Sequence, residues 1–581
     1  MFKPNTKHLQ PAIITAASEL PEKQQKRLKA SWADTFYQEL FCRLDEEPFS
    51  ILYSEKASRP NVPVNVLVGL EALKAGFGWS DQELYERFCY DLQVRYALGY
   101  DRLGDGDFEI RTLYYFRERL SQYNAEHGIN LLEKAFEQVT DTQLTALKVG
   151  TGMQRMDSTQ IASNIVSASR LQLLIEGVQR VERSLSASDK RRLAALFEPY
   201  TRDSSGHYTY RVKGKEAVQE QLERLGKAIY ALLQELSDAY GDESAYQVLA
   251  RLFSDNFNLI EKDVKAKENT EITSDCLQSV DDLEASYRTK AQKHYKGYVA
   301  NLTETCDPEN ELQLVTKVQV APNNVDDTRL LDEALPELKA RTELKILYTD
   351  GGYGSPETDD ALRENDVVQI QTAIRGRRPS AEKLHISLQE GSHSDFEIKQ
   401  TEEGKLTQIT CPQGQTVTVR GSNQRKSFVA HFAQDTCRTC PFSEACPARP
   451  GKRDPRHRLR FTQAQVNVAQ RRRRSQIHQE EGRNLRAAVE ATVRQVKHPF
   501  PGGKVPVRGQ FRVTCMILGS AMMGNIRRIQ QYKTRKSEQI ATEISKRGAE
   551  SAQVSSFCLF FDNFIRAFSN YFGVQKWVFG C

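Results

Sequence analysis

Long apolar runs are missing from this chain. No window of its 581 residues holds the ~18 consecutive apolar side chains that a membrane span requires. The N-terminus, MFKPNTKHLQ, lacks the apolar centre of a signal peptide. Neither an internal repeat nor a long low-complexity tract is found, which excludes solenoid arrays and compositionally biased tails. A strong overall charge is also lacking, the formal balance being +5. With 39% hydrophobic and 27% charged residues the composition is that of an ordinary soluble globular protein. A reducing cytoplasm is the expected compartment, and the length implies about three or four domains.

The modest net charge hides an uneven distribution. Basic residues crowd the stretch from Arg449 to Lys536, including the run Arg471-Arg472-Arg473-Arg474. Such a run is either a solvated face or a phosphate-binding surface. The 11 cysteines are mostly scattered among apolar neighbours. Cys437, Cys440 and Cys446 are clustered, with Cys411 upstream in Cys411-Pro412-Gln413-Gly414. In a reducing compartment these four thiolates suit a structural zinc site better than disulfides. The wide gap before Cys446 weakens the match, three free thiols being the plainer alternative, and His431 is a weaker candidate ligand.

Residues from about 27 to 125 read as helical. Val64 to Leu73 forms an apolar run, Gly76 and Gly78 mark a turn, and Ser80 is placed to cap a helix starting at Asp81. Two helices across a short turn are compatible with a helix-turn-helix. Val149 to about Ile165 predicts a first strand, followed by a long helical stretch. Strand patterns return at Lys296–Leu302, Leu312–Val320, Ile346–Asp350 and Val367–Ala373. Helices are predicted at Thr328–Leu338 and 356–364. The order describes an α/β core with insertions. A polar, β-rich stretch covers 376–462, and helices resume from about Gln463 to Arg535.

Three acids stand in distinctive settings within this plan. Asp157 lies in an extended run and is followed by Ser158 and Thr159. Asp350 ends an apolar strand and precedes Gly351-Gly352-Tyr353-Gly354. Glu490 falls on a helical stripe with Arg483, Arg486, Arg494 and Lys497. Taken singly, the aspartates read as turn or cap residues and Glu490 as surface charge. Together, two strand-end aspartates and a helical glutamate can hold a pair of hard divalent cations.

The spacing of Arg486, Glu490 and Lys497 resembles the R-x3-E-x6-K signature of bacterial insertion-sequence DDE transposases. That family has a tyrosine three positions before the arginine, where this chain has Arg483. Asp157-Ser158-Thr159 and Asp350-Gly351-Gly352-Tyr353-Gly354 are similar to its first and second acidic motifs. Lys296-Gly297-Tyr298 and Pro322 to Asp327 are similar to parts of its core. Arg59 to Leu120 is similar to the helical domain ahead of that core.

The resemblance implies an α/β RNase H-like catalytic core with a helical insertion and a β-rich, Cys-containing insertion, preceded by an all-helical DNA-binding domain. The expected divisions are 1–130 for that domain, 145–375 for the first part of the core (insertion about 166–285), 376–462 for the β-rich insertion, 463–535 for the last core helices and 536–581 for a tail. It further implies Asp157, Asp350 and Glu490 as ligands of two Mg²⁺ (or Mn²⁺) ions, with Arg486, Lys497, Arg494 and Arg483 on phosphates. Cys411, Cys437, Cys440 and Cys446 remain candidates for Zn²⁺. Double-stranded DNA is the implied partner, bound by a homodimer in the bacterial cytoplasm at the nucleoid, with no membrane. The implied reaction is DNA strand cleavage and transfer. The alternatives are a DNA-binding derivative without catalysis, or a nuclease without strand transfer.

Overall fold

A computed structural model of the chain describes residues 1–572 apart from 11–14, 57–58, 103, 167, 202–211, 213, 262, 291, 375–385, 388–394, 402–405, 423–425, 452–453 and 481–484. For 386–387, 422, 478–480 and 544–572 it describes the backbone alone.

The first 150 residues are helical. Helix α1 (Val64–Phe77) is apolar nearly all round and buried through Gly76, the mark of a central helix rather than a surface one. Gly78 ends it at φ 73°, and a Cβ there would collide with the Pro499 carbonyl. Only glycine suits such a C-cap. Ser80 then caps α2 (Asp81–Tyr90) by accepting from the Glu83 N–H at 3.1 Å, as the sequence predicts. Helices α3 (Ile110–His127) and α4 (Leu131–Ala146) complete this block.

Strand β1 (Met153–Ala162) opens the central sheet. It is followed by the helical insertion, in which α5 (Arg170–Ser184), α6 (Lys215–Tyr240) and α7 (Ser244–Asn256) bury Leu174, Val178, Ile229, Leu232, Leu249 and Leu252 in a core of their own. The chain returns through β2 (Ser286–Lys290), β3 (Lys293–Thr305) and β4 (Val315–Pro322). Helix α8 (Asp327–Arg341), β5 (Ile346–Thr349), α9 (Pro356–Glu364) and β6 (Val368–Gln371) follow.

β3 is antiparallel to β1 on one side and, on the other, to β4 along Tyr298–Glu304 and to β2 along Lys293–Gly297. β5 runs parallel to β1, and β6 parallel to β5. The sheet order is therefore β4-β3-β1-β5-β6, with three antiparallel strands on one side and parallel neighbours on the other.

One face of this sheet and the N-terminal helices share a core. Tyr298, Ala300, Leu302 and Val318 from the sheet pack in one cluster with Leu67, Leu73, Phe116 and Phe136. Val496 of α11 (Val489–Lys497) and Ile517 and Met523 of α12 (Gln510–Phe572) belong to the same cluster. Met156, Leu331, Leu335, Leu347 and Tyr353 form another core beneath α8. Between β6 and helix α10 (Gln463–Glu480), two four-stranded sheets are built around Phe396, Ile409, Phe428, Phe432 and Phe461.

A buried cation ties the helical block to the sheet. Lys317 on β4, 4% exposed, reaches Glu133 at 3.4 Å and Glu137 at 3.1 Å on α4, and Glu337 on α8 at 2.7 Å. Glu137 is itself 4% exposed, so an apolar residue at 317 would remove one of the cations that face a desolvated carboxylate. Lys317→Met is expected to lower unfolding stability by about 2–3 kcal/mol, less than for an isolated buried pair because Lys134 and Arg341 still face Glu137. Denaturant unfolding of the two proteins, followed by circular dichroism, checks this.

Candidate active site

Asp157 stands midway along β1, which runs five residues beyond it to Ala162 against β3. The sequence reading placed it at a strand end. What ends there is the parallel pairing: β5 meets β1 only at Met153–Arg155. Asp157 lies two residues past the rung Arg155–Tyr348, and Asp350 two residues past Tyr348 on the neighbouring strand. Both carboxylates thus emerge beyond the last rung of two adjacent parallel strands, the usual ligand-binding end of such a sheet. The Asp350 Oδ1 accepts from the Gly352 N–H at 2.7 Å and caps the tight turn Gly351–Tyr353.

Arg486 joins the two acids. Its Nη2 lies 3.1 Å from Asp157 Oδ2 and 3.9 Å from Asp350 Oδ2. Burial pushes the Asp157 carboxyl above the ordinary value, Arg486 pulls it back and Asp350 pushes it up again. Beneath them the fully buried Tyr353 hydroxyl donates to Asn301 Oδ1 at 2.7 Å. Its pKa is raised by burial and then by the charges of Asp327, Asp157 and Asp350. Asp327, named in the sequence only as the end of the Pro322 to Asp327 segment, stands beside Asp350 across Gly352.

The helical stripe carrying Glu490 departs from expectation. The sequence pattern suggests one continuous helix from Arg483 to Lys497, but α11 starts at Val489, and residues 485–488 form a turn. In a helix the Leu485 carbonyl would accept from Val489. Instead it accepts from Arg155 Nη1 at 2.6 Å, and the Val489 N–H goes to the Arg486 carbonyl. Arg486 therefore approaches the acids from a turn. Arg483 lies outside the described residues.

Glu490 is exposed in the first turn of α11, where the helix dipole favours an acid. No hydrogen bond or ion pair among the described residues links it to Asp157 or Asp350. Arg494 is likewise exposed one turn on. Lys497 is half-buried, its Nζ donating to the Gln160 carbonyl at 3.0 Å and to Thr159 Oγ1 at 3.3 Å, so it reaches the same strand as Asp157. Burial lowers its pKa. Of the arginine run, Arg471 is turned inward, 7% exposed and 3.7 Å from Asp359, so at this residue the run is not a solvated face.

A residue that the sequence did not single out holds this arrangement. Glu304 on β3 is fully buried, and its Oε1 takes the Arg155 Nε–H at 2.7 Å. Its Oε2 accepts from Thr492 of α11 and from Arg528 of α12, each at 2.6 Å. Nothing in an isolated Thr-Glu-Thr strand pattern reveals partners so distant in sequence.

The acids suit a hard divalent cation. Two carboxylates already share one guanidinium, and beside them Asp327 Oδ1 is buried with no hydrogen-bond partner among the described residues. Among the described residues, however, no three His, Cys, Asp or Glu side chains stand in a metal-holding arrangement. The four cysteines form no such arrangement either. Burial, then the neighbouring thiols Cys446, Cys411 and Cys440, push the Cys437 thiol up to about 11, and Cys411, Cys437 and Cys446 pack against one apolar cluster. His431 is turned to Asp454 at 3.6 Å.

Fold and site together define an α/β protein with paired acids at the open end of its parallel strands. Residues 410–530 match the family described as Transposase DDE domain, and residues 26–119 match that described as Transposase domain (DUF772). The two matches, in this order on one chain, support an insertion-sequence DDE transposase. No curated protein and no solved structure matches the chain. Among the described residues no helix is long and apolar enough to cross a membrane.

Glu304→Ala strands Arg155 and Arg528 without their shared buried counter-ion, which is expected to cost about 3–5 kcal/mol. Because Arg155 also fixes the Leu485 carbonyl, hydrogen exchange in 485–497 is expected to rise more than in α1, as mass spectrometry would show.

Proposed function

We propose that the chain is an active DDE transposase with an RNase H-like core, cleaving DNA strands at the ends of its element and joining them to target DNA. The observation that carries this is the Arg486 guanidinium shared by Asp157 and Asp350 beyond the last rung of two adjacent parallel strands. Asp157, Asp350 and Glu490 would hold two Mg²⁺ or Mn²⁺ ions. Bound there, the ions would lower the pKa of the attacking water or 3′-hydroxyl and steady the leaving oxygen.

The chain's own residues carry the rest of the reaction. Arg486 compensates the aspartates and, when they receive cations, is free to grip the scissile phosphate. Lys497 lies along the Asp157 side of β1 and offers a second positive contact, with exposed Arg494 outside it. Glu490, exposed in the first turn of α11, would supply the third carboxylate. Cys411, Cys437, Cys440 and Cys446 would hold a structural Zn²⁺ that stiffens the β-rich insertion. The partner is double-stranded DNA, and two copies of the chain would pair the two ends, in the cytoplasm at the nucleoid.

A second reading, DNA binding without catalysis, draws on the exposure of Glu490 away from the aspartates. Asp157→Ala, Asp350→Ala and Glu490→Ala are each expected to reduce metal-dependent cleavage of cognate ends at least a hundredfold while leaving DNA binding in EDTA intact. Cleavage that survives all three substitutions rules out the triad, and a wild-type protein that binds ends without nicking them favours the second reading. Cleaved products with no joined ones would leave a nuclease. Purified protein is expected to contain one zinc per chain by elemental analysis, lost in Cys437→Ser with Cys440→Ser.

A further inference from the structure

Asp327 is the first residue of α8 and is 7% exposed. Its Oδ2 points over Gly352: a Cβ at that glycine would lie 2.7 Å from Asp327 Oδ2 and 2.9 Å from Asp350 Oδ1. The two acids therefore flank one small gap, and the missing side chain at 352 keeps it open. Its other oxygen, Oδ1, is buried without a hydrogen-bond partner among the described residues. No cation pairs with Asp327 among the described residues, since Arg486 reaches only Asp157 and Asp350. The N-terminus of α8 offers partial positive charge, but a desolvated carboxylate beside another carboxylate needs more than that.

Structural alternatives do not account for the residue. Asp326 occupies the N-cap position, and neither Asp326 nor Asp327 makes a side-chain capping bond there. An apolar residue would fill the same volume under α8 without the cost of burying an unpaired acid. What would satisfy both the orphaned oxygen and the open gap is a cation, or a water molecule bound to one, between Asp327 and Asp350.

We propose that Asp327 is a positioning acid of the catalytic centre, one that completes an anionic cradle with Asp157 and Asp350 and holds the hydration water of a divalent cation over Gly352. This rests on the proposed reading of Asp157 and Asp350 as cation ligands and adds a carboxylate that the triad does not contain. Outer partners of this kind commonly tune metal affinity by about 10- to 100-fold.

Mn²⁺ is the probe, titrated into the full-length protein without DNA and followed by electron paramagnetic resonance. Asp327→Asn keeps the shape and removes the charge. Its Mn²⁺ affinity is expected to fall 10- to 100-fold, while its melting temperature in EDTA stays level or rises because a carboxylate repulsion is relieved. Gly352→Ala, which puts a methyl group into the gap, is expected to weaken Mn²⁺ in the same way and decides the matter if Asp327→Asn does not fold. Wild-type affinity in Asp327→Asn, or in Gly352→Ala in that event, overturns the inference. If Mn²⁺ binding is lost in Asp157→Asn yet kept in Asp327→Asn, this inference alone fails. A wild-type chain that binds no Mn²⁺ overturns it together with the reading of Asp157 and Asp350.

Discussion

A fully buried glutamate on β3 organises the rest of the site. Glu304 binds Arg155 from β1, Thr492 from α11 and Arg528 from α12, so the first strand and two helices hundreds of residues further on meet at one carboxylate. Such a group is stable only when its oxygens are served by donors of opposite charge and good geometry. Here two arginines and a hydroxyl do so. The effect travels outward: Arg155, held at one end by Glu304, takes the Leu485 carbonyl at the other and keeps residues 485–488 out of the helix. The turn that results brings Arg486 to Asp157 and Asp350. The arrangement at the surface of the cleft is thus set by a charge that solvent does not reach.

The secondary structure was largely legible because its signals are local. The Gly78 turn and Ser80 cap, the alternating strands and the apolar face of α8 all follow from residues within a few positions of one another. The match in the sheet extends to β5 and β6, predicted within two residues of where they begin. Asp157 and Asp350 could be paired from their settings, because an acid following an apolar run and preceding small or hydroxyl residues suits an open strand end. The fault lay where long-range contacts overrule local preference. Arg483 to Lys497 has good helical spacing, yet one arginine from β1 is enough to claim the carbonyl that the helix needed.

The same distinction explains the residues that went unnoticed. Glu304 sits in a strand whose alternation gives no sign of charge, and its worth lies in partners from the first strand and the last helices. Asp327 looked like any acid at a helix start, and only the approach of Gly352 gives it a neighbour in Asp350. Conversely, Arg471 reads as surface charge in a run of four and is turned inward against Asp359. Charge in a sequence says little about side until the opposing element is known.

The packing of the two ends of the chain has a consequence for how the molecule is made. In α1, a Cβ at Gly76 would collide with Met523, and in α12, a Cβ at Gly519 would press on Ala75. Two glycines about 440 positions apart therefore form the notch through which the first buried helix meets the last. During synthesis α1 leaves the ribosome with its apolar surface unmatched and waits for most of the chain to follow. A ribosome that stops anywhere before α12 releases helices with an open core and acids with no Arg528 behind Glu304. Synthesis of α12 is in this sense a checkpoint: the same helix closes the hydrophobic interior and steadies the anchor of the cleft, so a product that stops short of it lacks both together.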